Sequence, residues 1–406
     1  MRKSEDMRFV LPPGTGCAGA TGPGRLKRGN CKKLHGVPIY LRGLFPALFL
    51  WWLTPLSQSG ATAQETVVFD GMRECESCFV ALQPLVHIGD ESGPGSIETQ
   101  NALLRYGGDP STYAVFRVGG DHVSIFDADG SFQGRIGQRG SGPGEFQYLL
   151  DVHVLDSILV ALDAGNGKVV GMRSDGGVSF ESSIRVSPGA FRIATDSTIL
   201  IAAMGLRPEL VGYPFHEVVL RTGEAIAHFG EDGPFNLGAE SAGQVRLGWS
   251  PSRDRTWLMR GTRTFEEWSV PDRHLIRRIS IDPDWIPSPH SGSRDSLPPG
   301  LQVAFGVDRR DRMWLINLVL REPRSWEDIP ASPSGERRIR TSDLGEYYDV
   351  RLDVIDLAEA EHIGHFLWPG PTTVDLVQLG EDLAIRTVEL DERLVPRVTV
   401  FRVVVG

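Results

Sequence analysis

Cysteine, lysine and asparagine are the residues that this chain uses least. Beyond residue 63 the only lysine is Lys168 and the only cysteines are Cys75 and Cys78. There is no second C-x-x-C pair to complete a zinc site, no histidine directly after the existing pair to attach a haem, and no G-x-S-x-G motif. Zinc-ribbon, c-type haem and serine-hydrolase chemistry therefore lack their usual sequence signatures.

The N-terminal apolar run is too short to span a membrane, which needs about 20 residues. It has 13 residues, LFPALFLWWLTPL at 44–56, with basic residues upstream and Ala-Thr-Ala at 61–63. This order is typical of a secretory signal peptide cleaved before Gln64. We therefore expect 1–63 to be a leader and signal peptide that is removed, no membrane span afterwards, and a periplasmic or extracellular protein. Translation starting near Val37 is an alternative beginning of the same precursor.

Positive charge is scarce once the leader is removed. Residues 1–63 contain nine Lys and Arg and two Asp and Glu, so the remainder has 33 basic and 50 acidic residues and a net charge of −17. Such a surface repels nucleic acids and anionic lipids. We expect no nucleic-acid partner, no cofactor and a monomer.

Sustained helical periodicity is also missing. After residue 100 the apolar runs are short, alternating and bounded by Gly, Asp, Ser or Pro, and 150–185 has the pattern of four strands joined by tight hairpins. Three similar strands precede this unit and four sets follow it, the last one strand short. Residues 79–89, FVALQPLVHIG, supply the missing strand. The sequence predicts an all-β fold, a six-bladed β-propeller over 64–406 with ring closure by this N-terminal strand.

Two glycine-rich stretches have the same outline, RIGQRGSGPGEF at 135–146 and IGDESGPGSI at 88–97. A phosphate-binding loop would open a helix in a G-x-x-x-x-G-K-S/T or G-x-G-x-x-G pattern, and neither pattern is present. Both stretches instead follow a predicted outer strand, so we interpret them as connectors between blades, with Phe146 filling the gap between neighbouring sheets. The glycines expected to adopt positive φ in the first connector are Gly137, Gly140, Gly142 and Gly144.

Three stretches carry a family resemblance: FDADGSFQGRIG at 126–137, GSGPGEF at 140–146 and DAGNGKVV at 163–170. They resemble the NHL-repeat propellers and, more broadly, bacterial secreted six-bladed β-propeller proteins. The likeness is sharp over about 100–185 and fades downstream, where later sets lack the Gly-Pro-Gly signature. That family mostly binds proteins or ligands, although similar propellers include lyases and lactonases.

The resemblance leads to two functional expectations. The first is an exported binding or scaffold module that recognises a protein or small ligand at the tunnel mouth. The alternative is a metal-dependent propeller hydrolase or lyase, lactonase-like or amidating-lyase-like.

The residues that these enzymes need are not arranged in the expected way. Lactonase-type propellers place Glu, Asn and Asp around calcium on inner strands, whereas Asn317 falls in the second strand of its blade. The closest histidine pair, His362 and His365, has an odd spacing, which sends the two side chains to opposite faces of a regular strand. We therefore predict no catalytic residues and no metal site.

Candidate binding residues lie in two places. His153 falls on a predicted inner strand and is the best tunnel candidate, although a hydrogen-bonded core histidine is the alternative interpretation. The long loop at 322–346 is either a mobile solvated loop or a ligand-contacting one. Its candidate contact residues are Trp326, Arg337, Arg338 and Arg340.

Cys75 and Cys78 form the C-x-x-C pair of the mature chain. In an exported protein this spacing favours a local structural disulfide, with redox and metal-binding roles as alternatives.

Tryptophan is concentrated in the last 160 residues. Strand alternation predicts that most of these side chains pack between blades, except Trp285 and Trp326, which fall in loops. The alternative is an exposed set that stacks on sugars or a peptide. These tryptophans are Trp249, Trp257, Trp268, Trp285, Trp314, Trp326 and Trp368.

Overall fold

The structure, a computed structural model, describes most of the chain after residue 64. The described residues are 65–69, 73–99, 102–107, 111–185, 187–204, 213–230, 246–250, 252–260, 263–281, 300–322, 326–329, 344–368, 373–379 and 382–406. They contain strands β1 to β28, numbered in chain order. The first three are β1 (Glu65–Phe69), β2 (Arg73–Glu74) and β3 (Val80–Ile88).

The next strands build three antiparallel blades, each a meander of short alternating strands joined by tight turns. Blade 1 contains β4 (Ala102–Gly107), β5 (Thr112–Arg117), β6 (Val123–Asp127) and β7 (Phe132–Ile136). A two-stranded connector, β8 (Gln138–Arg139) with β9 (Glu145–Phe146), follows it. Blade 2 contains β10 (Leu149–Leu155), β11 (Ile158–Asp163), β12 (Lys168–Arg173) and β13 (Val178–Ser183). Blade 3 contains β14 (Ser187–Ile193), β15 (Thr198–Met204), β16 (Phe215–Val219) and β17 (Ala225–Phe229).

Three further blades complete the molecule. Blade 4 contains β18 (Arg246–Gly248), β19 (Arg255–Arg260), β20 (Thr264–Ser269) and β21 (Leu275–Ile281). Blade 5 contains β22 (Gly300–Val307), β23 (Arg312–Leu320), β24 (Tyr348–Asp356) and β25 (Glu361–Trp368). Blade 6 contains β26 (Thr373–Leu379), β27 (Asp382–Leu390), β28 (Pro396–Val405) and the N-terminal β3.

Among the described residues, helix is found only in the loop between β23 and β24. A 3₁₀ helix (Trp326–Asp328) and a single-turn helix α1 (Leu344–Tyr347) lie there. Within the described part of the chain, no helix has the length and apolar character needed to cross a membrane.

The first strand of each blade is its inner strand. β4, β10, β14, β18, β22 and β26 each contact the first strand of the next blade, and β26 contacts β4, so the six inner strands form a closed ring. The fold is the predicted all-β, six-bladed propeller around a central channel. The strand sets predicted from alternation all correspond to blades.

Ring closure occurs where the sequence predicts it. β3 pairs antiparallel with β28, from Ile88 opposite Val398 to Val80 opposite Val405. The ladder continues to the chain end, because the backbone of Phe79 exchanges two hydrogen bonds with that of Gly406 (2.9 and 3.2 Å). The N-terminal strand thus satisfies an outer edge that would otherwise be unpaired.

An N-terminal strap that the sequence did not predict precedes β3. β1 adds parallel to β21 at the outer edge of blade 4, and β2 adds parallel to β25 at the outer edge of blade 5. Phe69 is buried in the core between these two blades. Cys75 and Cys78 form the predicted disulfide next to β2. We define the N-terminal strap as β1, β2 and this disulfide.

The hydrophobic core lies between blades. Among the described residues, six clusters of buried side chains each fill the gap between two neighbouring blades. Fully burying one large apolar side chain contributes about 1.5–3 kcal/mol, so these interfaces dominate the stability of the ring. The tryptophans buried there, as predicted, are Trp257, Trp268, Trp314 and Trp368. Trp249 is half-buried instead, and Trp285 lies outside the described residues.

The Gly-Pro-Gly segment after blade 1 is a connector, as predicted. Phe146 is fully buried between blades 1 and 2, and β10 follows, not a helix. Gly137 and Gly144 have φ of +87° and +73°, but Gly142 does not adopt the positive φ expected for it. A hydrogen bond fixes its backbone instead, because the Gly142 N–H donates to Glu145 Oε2 (2.8 Å).

Candidate functional site

The central channel is crossed by side chains from opposite blades. Arg105 on β4 extends from blade 1, and Trp249 follows β18 at the start of blade 4, which is opposite in a ring of six. The guanidinium carbon of Arg105 lies 5.0 Å from the centroid of the Trp249 ring. Stacking of this kind is a cation–π contact, and here it joins side chains of opposite blades across the axis of the ring.

Blade 2 contributes an aspartate and a histidine next to Arg105 and Trp249. Asp151 on β10 accepts a hydrogen bond from Arg105 Nη2 (2.8 Å) and another from the backbone N–H of Val152 (2.9 Å). Burial raises the pKa of Asp151, but the charge of Arg105 together with the contacts of His153 and the Val152 backbone outweighs burial and holds that pKa below its ordinary value. The carboxylate is therefore ionised at neutral pH.

His153 lies on the inner strand, as predicted. Its Nε2 donates to the carbonyl of Phe191 on blade 3 (2.8 Å), and its ring lies 5.8 Å from that of Trp249. Burial lowers the pKa of His153 below its ordinary value, so the imidazole is neutral at pH 7. His153 is thus hydrogen-bonded, and its proposed role in ligand binding stays a prediction.

Two more arginines lie beside this group. Arg192 on β14 is buried and donates Nη1–H to the carbonyl of Gly248 (3.2 Å); burial lowers its pKa to about 10. Arg386 on β27 has a side chain that is only 1% exposed and donates Nη2–H to Asp375 on β26 (3.2 Å). Burial also lowers the pKa of Arg386, against the opposing charge of Asp375, although both arginines stay protonated at neutral pH.

These residues form what we call the axial cluster: Arg105, Asp151, His153, Arg192, Trp249, Asp375 and Arg386. It has three positive and two negative side chains and so a net charge of +1, inside a chain of net charge −10. Several N–H groups of the cluster have no acceptor: Nε of Arg105, and Nε and Nη1 of Arg386. The cluster therefore presents a local excess of buried positive charge and of hydrogen-bond donors.

The other predicted binding residues belong to the loop between β23 and β24. Trp326 begins the 3₁₀ helix in the loop after β23. Arg337, Arg338 and Arg340 fall within 330–343, which is outside the described residues. Their proposed contact with a ligand stays a prediction.

The prediction that His362 and His365 point to opposite faces is wrong. The pairing of β25 with β24 contains a β-bulge, in which Val354 lies opposite Gly364 and Ile355 opposite His362. The extra residue shifts the alternation by one, so both histidines lie on one face, with their rings stacked at 10° and centroids 6.2 Å apart.

Asn317 lies on β23, the second strand of blade 5, as predicted. It is buried and donates Nδ2–H to Asp353 Oδ2 (3.2 Å). On the described inner strands, arginines and two carboxylates converge at the axis, not a Glu, Asn and Asp set of the kind that binds calcium.

Sequence reasoning missed Arg105 and Arg386. Alternation along β4 and β27 does indicate which side of the sheet each occupies, since residues two apart share a face. It does not indicate that Arg105 meets a tryptophan from the opposite blade, because that contact depends on how the ring closes. An arginine inside an otherwise apolar alternating strand, as in LLRYG and AIRTV, was the available signal.

Comparison with known proteins agrees with this fold. A family model described as "DUF5128: 6-bladed beta-propeller" matches residues 113–187. The chain resembles a solved member of the DUF4221 family from Bacteroides vulgatus, with 14% identity and a TM-score of 0.54, covering 80% of this chain and 99% of that one. It also resembles a "Putative exported protein" from Bacteroides fragilis, with 11% identity and a TM-score of 0.53, covering 84% of this chain and 99% of that one. No curated protein matches the chain.

The class is therefore a six-bladed β-propeller domain. At these identities the likeness to solved structures shows the fold alone.

Proposed function

We propose that this chain is an exported binding module whose central channel binds the negatively charged group of a protein or small ligand. The observation that carries the proposal is the axial cluster, in which buried guanidinium groups outnumber carboxylates and keep N–H groups without an acceptor. The cluster is not wholly closed to solvent, because the side chains of Arg105 and Asp375 are 12% and 22% exposed.

The energetics favour an anionic ligand. A buried donor left without an acceptor costs about 1–3 kcal/mol, and more when it belongs to a charged group. A carboxylate that enters the channel relieves this cost and forms charge-assisted hydrogen bonds in a site of low dielectric constant. Trp249 and His153 offer ring surfaces beside Arg105, so an apolar or aromatic ligand body next to the acidic group fits the same site.

Export is part of the same proposal. It is supported by the signal-peptide pattern that ends at Ala63 and by a structural neighbour described as a putative exported protein. The Cys75–Cys78 disulfide is consistent with an oxidising compartment. Residues 64–406 then act as a monomeric module outside the cytoplasm. The resemblance to NHL-repeat propellers concerns the sequences of its turns and blade connectors.

Binding is tested with matched pairs of ligands. Carboxylic acids and their neutral amides, for example benzoate with benzamide and a dipeptide with its C-terminal amide, are titrated by calorimetry. We expect the acids to bind better than the amides, and Arg105→Gln to weaken acid binding at least about 10-fold, since a hydrogen bond to a charged group is worth about 1.5–3 kcal/mol.

Arg253→Gln is the control, because Arg253 is an exposed arginine that pairs with Asp196 on the surface. Its binding should equal that of the unsubstituted chain. Ligands that bind equally well as amides, or acid binding that survives Arg105→Gln, would refute an anion site at the axis.

Export is tested separately by expressing the full chain in a Gram-negative host and sequencing the recovered protein. We expect a periplasmic product that begins at Gln64. Recovery of an uncleaved cytoplasmic chain would show that export is wrong without affecting the axial site.

A further inference from the structure

Blade 5 contains a group of ligand-type side chains that the axial site does not use. Asp353 on β24 and the two histidines of β25, His362 and His365, place one ligand atom each within 4.8 Å of one another. Asp353 and His362 are buried, whereas His365 is exposed, so the group opens to solvent on one side. These are the outer strands of the blade, away from the channel.

The backbone builds this group. Asp353 lies directly opposite His365 in the ladder, and the β-bulge brings His362 to the same face. Without the extra residue in the bulge, the spacing of three would place the histidines on opposite faces. Bulges recur where a strand must re-aim a side chain, often next to functional sites.

The carboxylate is held in place by neighbours of its own blade. Arg351 donates Nε–H and Nη2–H to Asp353 Oδ1 (2.9 and 2.8 Å), and Asn317 donates to Oδ2 (3.2 Å). His362 Nε2 lies 3.1 Å from Oδ1 and donates its proton there. A carboxylate has about four acceptor positions, so an ion that replaces the His362 proton leaves the arginine and asparagine bonds in place. Metal-ligating carboxylates are ordinarily supported by such hydrogen bonds.

The distance between two of the ligand atoms indicates the class of ion. Two ligands 3.1 Å apart, each about 2.1 Å from an ion, subtend an angle of about 95° at it. That angle suits neighbouring ligands of a tetragonal or octahedral site, and a shift of a few tenths of an ångström would suit a tetrahedral one. Imidazole nitrogen with one carboxylate is a typical donor set for late first-row divalent metals.

We propose that Asp353, His362 and His365 bind a late first-row divalent metal ion, nickel, copper or zinc, on the outer part of blade 5. Two histidines and one carboxylate occupy one side of the ion, and the exposed side is completed by water or by an atom of a partner. His365 closes onto the ion from the surface, because it is the exposed member of the three.

The experiment uses the untagged chain, stripped with a chelator and dialysed, and titrates Ni²⁺ and Zn²⁺ in competition with a chromogenic chelator. We expect one ion bound per chain, and His365→Ala to weaken binding at least about 10-fold. Because His365 is exposed, this variant tests the ligand without removing core packing. His274→Ala, which removes an exposed histidine of blade 4, should leave affinity unchanged.

A second variant keeps the test decisive. Asp353→Asn retains the shape of the buried side chain and should also abolish high-affinity binding, while thermal unfolding without metal reports whether the blade is still folded. The absence of saturable binding in the unsubstituted chain would overturn the proposal. Binding that is insensitive to His365→Ala, or that His274→Ala reduces equally, would place the ion elsewhere and overturn it as well.

Discussion

At the scale of single residues, a few side chains set local geometry that the alternation pattern does not show. Gly137 is one of them: it ends blade 1 with φ +87°, and a Cβ added there would overlap the ring of Phe146. Phe146 in turn is fully buried between blades 1 and 2. The connector therefore depends on a glycine and a phenylalanine that fit together, which explains the composition of this segment better than flexibility does.

We expect Gly137→Ala to lower the free energy of unfolding by about 2 kcal/mol or more, because it adds both backbone strain and overpacking. Chemical denaturation measures the change. Gly134→Ala is the control, since its Cβ meets nothing within 4 Å and its φ is not positive. Equal effects of the two substitutions would contradict the packing of Phe146 against Gly137.

The axial histidine predicts a pH dependence of stability. Burial lowers the pKa of His153 in the folded chain, whereas an unfolded histidine titrates at about 6.5. Between these values the unfolded state binds more protons, so the stabilising contribution is complete above about pH 6.5 and is lost as the pH falls. Stability should therefore decrease from about pH 7.5 to about pH 5.5.

His153→Gln tests this origin, because glutamine can still donate a hydrogen bond to the carbonyl of Phe191. The variant should lose less stability than the unsubstituted chain over the same pH range. Some dependence will persist, since burial also lowers the pKa of His228. Identical pH profiles would show that His153 does not carry the effect.

At the scale of elements, the sequence predicts the regular strands well. Every hairpin between 150 and 185 lies where alternation and turn residues place it, because antiparallel neighbours that follow each other are specified locally. The bulge in β25 was not predictable in the same way, since one extra residue changes the facing of a side chain without changing the composition of the strand. For that reason the sequence did not predict that His362 and His365 lie on the same face of the strand.

The sequence did not predict the N-terminal strap either. β1 pairs in parallel with a strand more than 200 residues later, Glu65 lying opposite Arg277, and parallel edge pairing has no local turn signal. A short run such as ETVVF is compatible with many positions. The blade edge that this strand covers is determined only when all six blades are assembled.

The strap leads to a prediction for the disulfide. The double substitution Cys75→Ser and Cys78→Ser should lower the free energy of unfolding by about 2 kcal/mol, the value expected for such a short loop. The Cys75 N–H donates to the carbonyl of His362 (3.1 Å), so loosening the bridge also frees β2 from blade 5. Denaturation with and without a reductant measures the effect, and no difference between oxidised and reduced protein would contradict this role.

At the scale of the whole molecule, the closed ring brings together residues that the sequence separates. Arg105 and Trp249 meet across the channel only because all six blades complete the circle. The number of blades and the closing strand were predictable, since each blade repeats the same pattern and one strand was missing at the end of the chain. The net charge of the axial cluster was not, because it depends on which inward side chains share one level of the channel.

Closure by β3 is the claim on which the axial site depends, and a designed cross-link tests it most directly. His87 lies opposite Thr399, with 3.0 Å between His87 Nδ1 and Thr399 Oγ1, and directly paired strand residues are close enough for a disulfide. His87→Cys with Thr399→Cys should oxidise to an intramolecular disulfide, seen as joined peptides by mass spectrometry, while Gln83→Cys with Thr399→Cys should not, because Gln83 pairs with Arg402. Failure of the first pair, or equal cross-linking of both, would contradict the closed six-bladed ring.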